Sequence, residues 1–244
     1  MTEALKSGEL DLAILLTEGF ISAAARGLKA KVVKEYITSP LGWGIFTGAR
    51  SSHYSIYSRL PKKYAISKLG SGSHLMAMIH AEQRGEKISP ADLVEVKSIE
   101  GAMTSLQKNE TQIFYWEKYM TKAYVENGTV RMIGEFSAPW SSMLIIASEQ
   151  ALQNKREAIL KVLSVINEES FQFVSSPGSI RLLQERFRLS QTDAATWLHS
   201  TVWSSDYAIR IQGLENAKQA LLKIGGVNAD LKVAELCDES LMLL

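Results

Sequence analysis

The segment from residue 70 to residue 74 has the residue types of an anion-binding loop, namely Gly70, Ser71, Gly72, Ser73 and His74. The apolar run before it (64–67) predicts a strand, and the apolar residues after it predict a helix that begins at Ser73. A glycine-rich loop at a helix start presents backbone N–H groups at the positive end of the helix dipole, which suits an anion. The hydroxyls of Ser71 and Ser73 can add donors, and Ser73 can cap the helix. The alternative is that the two glycines only let the chain turn.

Other candidate binding residues stand mostly where predicted strands end. They are Thr17, Glu18, Gly19, Trp43, Trp116, Glu117 and Trp140. Open α/β sheets bind ligands at the carboxyl ends of their strands, so these positions favour a shared pocket. The three tryptophans would give it flat apolar walls, unless they only pack against the strand ends. Glu117 could accept a hydrogen bond from a ligand amine, or it could cap the helix that follows it.

Signals for catalysis or metal binding are few. The four histidines are His53, His74, His80 and His199. Six residues separate His74 from His80, so on one helix they face different directions and do not form a metal pair. The chain has neither a phosphate-binding GxxxxGK[ST] motif nor a GxSxG nucleophile elbow. A single cysteine, Cys237, excludes an internal disulfide and a cysteine-based zinc site. We therefore predict no catalytic residue, no bound metal and no cofactor.

Composition is that of an ordinary globular protein. The chain has 244 residues, of which 46% are hydrophobic and 22% charged, and its net charge is +1. The near-neutral charge argues against a nucleic-acid partner. No apolar run approaches the ~20 residues that span a bilayer, so we predict no membrane insertion. The first residues lack the basic and apolar regions of a secretory signal, which predicts a cytoplasmic location.

Hydrophobic patterning predicts an α/β fold with a helical C-terminal third. Strands are predicted at residues 11–16, 31–36, 43–47, 64–67, 93–96, 112–115, 130–134 and 143–147. Many of them alternate with helices of about ten residues, which predicts βαβ units and a parallel sheet. The continuous apolar run 11–16 fits a strand that is covered on both faces in such a sheet. Beyond residue 150 the apolar spacing is helical.

Several segments resemble one known family. Residues 4–14, ALKSGELDLAI, resemble the helix–turn–strand segment of type II periplasmic-binding-protein folds. The resemblance is greatest to the group that binds nitrate, sulfonates, taurine and thiamine precursors, and in particular to its fungal and bacterial branch without a signal peptide. Residues 70–77 resemble the signature loop of that group. The Trp116-Glu117 and Pro139-Trp140 pairs strengthen the resemblance, which extends from Met1 to about Ile224.

The resemblance implies two α/β lobes that hold a ligand in the cleft between them. The chain would cross between the lobes near residues 47–48 and 135–136. The first lobe would then comprise residues 1–48 and 135–244, and the second lobe residues 49–134. The loop at 70–74 would face the cleft from the second lobe, opposite Thr17, Glu18 and Gly19. A ligand that touches both loops would favour a closed arrangement of the lobes.

The function that the resemblance implies is non-catalytic binding of a small anionic or heterocyclic solute, as in substrate-binding proteins of ABC transporters. It allows an ABC-transporter permease as a partner. An enzyme of the thiamine-pyrimidine-synthase type is one alternative, but the cysteine-rich iron motif of that enzyme is missing because Cys237 is the only cysteine. A degenerate protein without a ligand is the other alternative.

One departure from the family concerns the first lobe. Family members begin with a strand and a helix ahead of the segment that matches the start of this chain, so the resemblance implies an incomplete first lobe. An upstream segment could carry a signal, and the location would then be periplasmic. A sheet that lacks an interior strand exposes an unpaired edge, which predicts poor stability or self-association.

Overall fold

The structure is a computed structural model that describes residues 1–238 and Ser240. Its strands are β1 (Leu12–Leu16), β2 (Ala30–Ile37), β3 (Gly42–Gly48), β4 (Tyr64–Ile66), β5 (Leu93–Glu95), β6 (Ile113–Glu117), β7 (Val130–Ser137) and β8 (Met143–Ser148). Its α-helices are α1 (Thr2–Ser7), α2 (Thr17–Ala25), α3 (Gly72–Gln83), α4 (Ile99–Gln107), α5 (Lys122–Glu126), α6 (Glu149–Asn154), α7 (Arg156–Ser175), α8 (Ser179–Phe187), α9 (Gln191–Ser200) and α10 (Ile211–Lys223). Among the described residues, 3₁₀ helices occupy Pro90–Asp92 and Val233–Leu236.

The chain folds into two compact units. Unit 1 comprises Met1–Pro40, Pro139–Gln219 and the residues from Val227 onward. Unit 2 comprises Leu41–Ala138 and Ala220–Gly226.

The boundaries of these units differ from the lobe boundaries that the sequence predicts. Strand β3 and residues 135–137 of β7, which the prediction assigns to the first lobe, lie in unit 2. The reason is that β3 and β7 pair along their whole length, from Gly42 opposite Ser137 to Gly48 opposite Val130. Residues 239 and 241–244 of the predicted first lobe lie outside the described residues.

The sheet of unit 1 has three strands in the order β1-β8-β2. Both pairs are antiparallel, so the prediction that residues 11–16 form a strand of a parallel sheet is wrong. The apolar strand β8 lies in the centre, and Leu144, Ile145 and Ile146 are almost fully buried. Helices α6 and α7 pack on one face, where Ile159 and Leu163 join the core around Ile145. An antiparallel pair needs no crossover helix, and a local apolar pattern does not distinguish the two directions.

The two outer strands of this sheet differ. Strand β2 has two register shifts and forms isolated bridges from Val32 to Cys237 and from Ile37 to Trp203. Within the described residues, β1 pairs only with β8. The five residues of β1 are all apolar. The edge of β1 therefore has none of the charges, prolines or bulges that commonly protect an outer strand.

The sheet of unit 2 has five strands in the order β5-β4-β6-β3-β7. Strand β4 is parallel to β5 and β6, as the βαβ pattern predicts, whereas β3 is antiparallel to both β6 and β7. The carboxyl ends of β4, β5 and β6 therefore share one edge with the amino end of β3. We call this edge the carboxyl edge of unit 2; it is formed by Ile66, Glu95, Glu117 and Trp43.

Helices α3 and α4 cover opposite faces of the unit 2 sheet. On the α3 face, the ring of His80 stacks on Phe136 at 4.7 Å and its Nδ1 lies 2.9 Å from the hydroxyl of Tyr115. On the α4 face, Leu106 packs with Phe114 in one buried cluster. This division follows from the alternation of side chains along each strand.

The last third of the described chain is helical, as predicted, with α6 to α10 between residues 149 and 223. Leu183, Ala194 and Leu198 form a small core where α8 and α9 meet. Among the described residues, no helix combines the length and the apolar character that crossing a membrane requires.

Candidate functional site

The loop after β4 makes a turn before it starts α3. Gly70 has φ +75°, a left-handed conformation that favours glycine. Helix α3 begins at Gly72, and Ser71 is its N-cap, whose hydroxyl accepts from the N–H of His74 at 3.4 Å. The prediction that Ser73 caps the helix is therefore wrong by two residues. The predicted strand and helix on either side of the loop are both present.

Hydrogen bonds inside the loop hold it in one shape. Ser73 is 1% exposed, and its hydroxyl oxygen accepts from the N–H of Ser67 at 2.9 Å and lies 3.0 Å from the hydroxyl of Ser71. The N–H of Leu69 donates to Glu95 Oε1 at 2.9 Å. The hydroxyls of Ser71 and Ser73 thus both take part in hydrogen bonds within the loop, chiefly as acceptors. The loop is preorganised, so binding requires little reordering of it.

Two backbone N–H groups of the loop have no partner among the described residues. The N–H groups of Gly72 and Ser73, in the first turn of α3, donate to no residue that the structure describes. Helix starts leave such groups unpaired, and the helix dipole adds positive potential there.

His74 is held as a neutral ring. Its Nδ1 accepts a hydrogen bond from the N–H of Gly70 at 3.0 Å, which places the ring proton on Nε2. Burial lowers the pKa of His74, and the carboxylate of Glu95 opposes that shift. His74 therefore supports the turn at Gly70.

Trp43 stands at the carboxyl edge on the same face of the sheet as α3. It lies opposite Glu117 in β6 and opposite Phe136 in β7, and Phe136 is the residue that stacks on His80 of α3. Trp43 is 4% exposed, and its indole N–H has no hydrogen-bond partner among the described residues. A buried donor without a partner is costly, which makes this position a candidate for ligand contact.

Trp116 faces the opposite side of the sheet. Its ring stacks on Phe114 with centroids 5.2 Å apart, and its buried indole N–H also lacks a described partner. Glu117 accepts from the N–H of Met120 at 2.8 Å, so of its two predicted roles the structure shows the capping of the following turn. Burial raises the pKa of Glu117.

Three predicted residues of unit 1 come together at the start of α2. Thr17 Oγ1 donates to the carbonyl of Ser141 at 2.5 Å, and Trp140 Nε1 donates to Glu18 Oε2 at 3.0 Å. Glu18 is 5% exposed, and burial raises its pKa, an effect that its hydrogen bonds partly oppose. Gly19 is exposed. The structure thus brings Thr17, Glu18 and Trp140 into one buried cluster.

A buried charged group beside this cluster was not predicted. Glu35 is 1% exposed and accepts from Ser141 Oγ at 2.9 Å, from the N–H of Arg210 at 2.6 Å and from its guanidinium at 3.1 Å. Glu35 therefore ties Ser141, and with it the Thr17 contact, to the loop before α10. The sequence signal was the Lys34-Glu35 pair, which follows the apolar Val32 and Val33 within β2.

The described residues contain no group of three or more His, Cys, Asp or Glu side chains that could hold a metal ion. The single cysteine, Cys237, is buried. The candidate site therefore rests on hydrogen-bond donors and aromatic rings.

A protein-family model agrees with part of this architecture. The model described as Ca3427-like PBP, a periplasmic-binding-protein type, matches residues 43–136. This range spans the loop after β4, Trp116 and Glu117. No functionally curated protein matches the chain.

Solved structures extend the likeness over almost the whole chain. The Candida albicans CA3427 gene product, which has the generic periplasmic binding protein fold, is 24% identical with a TM-score of 0.83, over 95% of this chain and 78% of its own. The alkanesulfonate-binding protein SsuA of Xanthomonas axonopodis pv. citri, bound to MOPS, is 15% identical with a TM-score of 0.79, over 97% and 83%. The aliphatic sulphonate binding protein SsuA of Escherichia coli is 19% identical with a TM-score of 0.72, over 97% and 78%.

The chain therefore has a periplasmic-binding-protein-like fold, which confirms the predicted resemblance and fold class. Two of the similar structures are named as sulfonate-binding proteins and not as enzymes. At these sequence identities, the likeness establishes the fold but does not identify the ligand.

Proposed function

We propose that this chain is a non-catalytic binding protein for a small anionic solute, with unit 2 holding the anionic group at the start of α3. The proposal is carried by one observation. At the carboxyl edge, on the α3 face, the N–H groups of Gly72 and Ser73 and the buried indole N–H of Trp43 all lack partners among the described residues.

The chemistry of this set favours an anion. All three groups are donors, so their ligand must supply acceptor oxygens. Buried unpaired donors cost about 1–3 kcal/mol each, and hydrogen bonds to a charged acceptor return about 1.5–3 kcal/mol each. The dipole of the twelve-residue helix α3 adds attraction for negative charge. A sulfonate or carboxylate offers several acceptor oxygens on one centre, which suits a set made of donors alone.

The comparisons support the same class of ligand. Two structures with this fold are named as binding proteins for sulfonates, one of them with MOPS bound. We therefore place sulfonates first among the candidate solutes, ahead of carboxylates and pyrimidines. An ABC-transporter permease as partner and a cytoplasmic location are part of the proposal, and co-purification and cell fractionation test them.

A thermal-shift screen provides the first test. The panel comprises sulfonates, carboxylates, pyrimidines and amines, and we expect the melting temperature to rise with one of the anionic classes. A panel without any shift would overturn the proposal and favour a protein that no longer binds a ligand. A shift with amines alone would also contradict it, because the donors described above cannot bind a cation.

Gly72 allows a sharper test of the backbone donors. Proline is tolerated at the first position of a helix, and Ser71 before it is already extended with φ −78° and ψ 167°. Gly72→Pro therefore removes one N–H without breaking the helix, whereas Gly72→Ala keeps that N–H and serves as the matched control. We expect Gly72→Pro to weaken binding by about tenfold in calorimetry and Gly72→Ala to change it by less than about threefold.

Two further variants probe the neighbouring groups. Trp43→Phe removes the unpaired indole N–H and should weaken binding of the anion by a similar factor. Ser73→Asp brings a negative charge to the start of α3 and should abolish binding. Unchanged affinity in both Gly72→Pro and Ser73→Asp would refute the assignment of the anion to this loop.

A further inference from the structure

The connection between β3 and β4 runs over the surface of unit 2 without forming a helix or a strand. It comprises residues 49–63, and we call it the 49–63 loop. It joins Gly48 to Tyr64, whereas Trp43 and Ile66 lie at the opposite ends of the same two strands. The loop is therefore at the other end of these strands from the solute site proposed above. Connections of more than about a dozen residues without secondary structure are uncommon, and many of them are functional.

Buried anchors fix this loop in one shape. The side chains of Ser51, His53 and Ile56 are buried. His53 Nε2 lies 3.2 Å from the carbonyl oxygen of Pro61, and His53 Nδ1 lies 3.2 Å from the hydroxyl of Ser51. The guanidinium of Arg131, in β7, donates to the carbonyl of Ser51 at 2.6 Å. Because the backbone is already held in place, binding a partner costs less conformational entropy.

The outer face of the loop displays aromatic and apolar side chains. Tyr54, Tyr57 and Leu60 are 75%, 70% and 46% exposed. The guanidinium carbon of Arg131 lies 4.1 Å from the centroid of the Tyr54 ring, a cation–π contact that holds this exposed ring in position. Tyrosine and arginine are among the residue types that most often supply binding energy in protein–protein interfaces.

The same face carries positive charge without a partner. The sequence contains no Asp or Glu between Glu35 and Glu82, and the loop contributes the exposed residues Arg50 and Arg59. Within the described part of the chain, Arg50, Arg59 and Arg131 form no ion pair. An approaching carboxylate therefore meets guanidinium groups that no acidic residue has neutralised.

Neighbouring segments do not cancel this charge. A cavity of about 870 Å³ lies beside the loop, and its charged lining residues are Lys62, Lys63, Lys87, Glu86, Asp92 and Glu110. The lysines and the acidic residues of this cavity balance one another. The three arginines thus remain as the unbalanced charges of the loop and its surroundings.

We propose that the exposed face of the 49–63 loop binds another protein, through a segment of that protein that carries acidic residues beside apolar ones. Arg50 and Arg59 bind its carboxylates, to which a guanidinium can donate two parallel hydrogen bonds. Tyr54 and Tyr57 cover its apolar side chains. The hydroxyls of these tyrosines suit hydrogen bonding in a protein interface better than insertion among acyl chains.

The exposed area of the two tyrosines indicates the size of the contact. An aromatic side chain buries about 150–250 Å², and one partner of a stable interface buries about 800 Å². At their observed exposure, Tyr54 and Tyr57 can supply roughly a third of that area. This contribution suits a short acidic segment that lies along the loop.

Random peptides displayed on phage are the probe, and they are selected on the immobilised parent protein. We expect the enriched peptides to contain Asp or Glu next to apolar residues. The dissociation constant of the most enriched peptide, synthesised with a fluorescent label, is then measured by fluorescence anisotropy. A higher salt concentration should weaken this binding, because salt screens exposed charges.

Two double variants test the groups that the proposal assigns. Arg50→Gln/Arg59→Gln removes both charges, and Tyr54→Ser/Tyr57→Ser removes both rings. Each double variant should weaken binding of the peptide by about tenfold or more. The four side chains are exposed, so circular dichroism should show that both variants fold like the parent.

Controls separate this surface from the rest of the molecule. Arg186→Gln/Arg188→Gln removes two exposed arginines of unit 1 and should leave peptide binding unchanged. Gly72→Pro acts at the proposed solute site and should also leave it unchanged. Loss of peptide binding in Gly72→Pro, with none in Arg50→Gln/Arg59→Gln, would place the peptide at the solute site and overturn the proposal.

Other outcomes would contradict the proposal as well. Enriched peptides without acidic residues, or a selection that enriches no peptide, would overturn the acidic partner. Equal affinity of the parent and both loop variants for the peptide would exclude the loop. Tighter binding of phosphatidylserine vesicles or of a single-stranded oligonucleotide than of any peptide would show a lipid or nucleic-acid surface in its place.

Discussion

Replacing Trp140 by phenylalanine tests how the buried carboxylate of Glu18 is stabilised in unit 1. The indole N–H of Trp140 donates to Glu18 Oε2 at 3.0 Å, and the two residues are 4% and 5% exposed. Phenylalanine keeps most of the aromatic volume but cannot donate. Trp140→Phe therefore removes one hydrogen bond from a carboxylate that solvent barely reaches.

The expected magnitude follows from the charge of the acceptor. A hydrogen bond to a charged group contributes about 1.5–3 kcal/mol, and one between neutral groups about 0.5–1.5 kcal/mol. The smaller phenylalanine ring also lowers the free energy of unfolding through lost packing. This loss is similar whether residue 18 is Glu or Gln, so it cancels in a double-mutant cycle with Glu18→Gln. We expect a coupling of about 1 kcal/mol between positions 18 and 140 at a pH where Glu18 is ionised.

The effect of Trp140→Phe on the free energy of unfolding depends on pH in a defined direction. Burial raises the pKa of Glu18 above the ordinary value of 4.5. The folded protein therefore binds more protons than the unfolded chain, and the stability from protonated Glu18 is full below pH 4.5 and is lost as pH rises through the folded pKa. The Trp140 hydrogen bond favours the ionised form, so its removal raises the folded pKa further. The stability difference between Trp140→Phe and the parent should widen with rising pH.

The free energy of unfolding is measured by urea unfolding followed by far-ultraviolet circular dichroism. The measurement covers the parent, both single variants and the double variant, below and above pH 4.5. Circular dichroism is chosen because the variant alters tryptophan fluorescence. A coupling indistinguishable from zero, or a stability difference that narrows as pH rises, would refute the role assigned to this hydrogen bond.

Two further predictions concern a second buried titratable group, His80, and the open sheet edge. Burial lowers the pKa of His80 to about 4, so its contribution to stability is full above pH 6.5 and is lost as pH falls through about 4. His80→Gln should therefore reduce the loss of unfolding free energy at acidic pH, as measured by urea unfolding. An unchanged dependence of the unfolding free energy on pH would contradict this prediction. The unpaired apolar edge of β1 should cause concentration-dependent self-association. Sedimentation velocity measures it, and a single monomeric species at all concentrations would count against it.

The preformed loop after β4 also bears on how a ligand would bind. Its hydroxyls and most of its N–H groups are already satisfied internally, as the contacts of Ser73 and His74 show. Binding then requires little reordering of this loop, and its affinity depends on the few donors that remain. This is why the test of the proposed function relies on Gly72 and Trp43, whose N–H groups are unpaired.

Local sequence determined the elements on which this site is built. The glycine at position 70 required a turn, and the apolar residues that follow required a helix, because these preferences act over a few neighbouring residues. The tryptophans near strand ends could be identified from the sequence because the strands beside them were predicted from local apolar runs. The resemblance of residues 70–77 and 4–14 to one fold was likewise readable from the chain, and the comparisons confirm that fold.

Only the tertiary structure decided how those elements combine. The direction of β1 relative to β8 and the free donor of Trp43 depend on partners far away in sequence. The loop at 70–74 remains a proposed ligand site, and the unpaired N–H groups of Gly72 and Ser73, not its hydroxyls, carry that proposal. A cavity lined by the segments before β4, β5 and β6 could not be predicted, because no local pattern connects these separate segments. Hydrogen bonds and burial between distant residues set which polar groups remain free for a ligand.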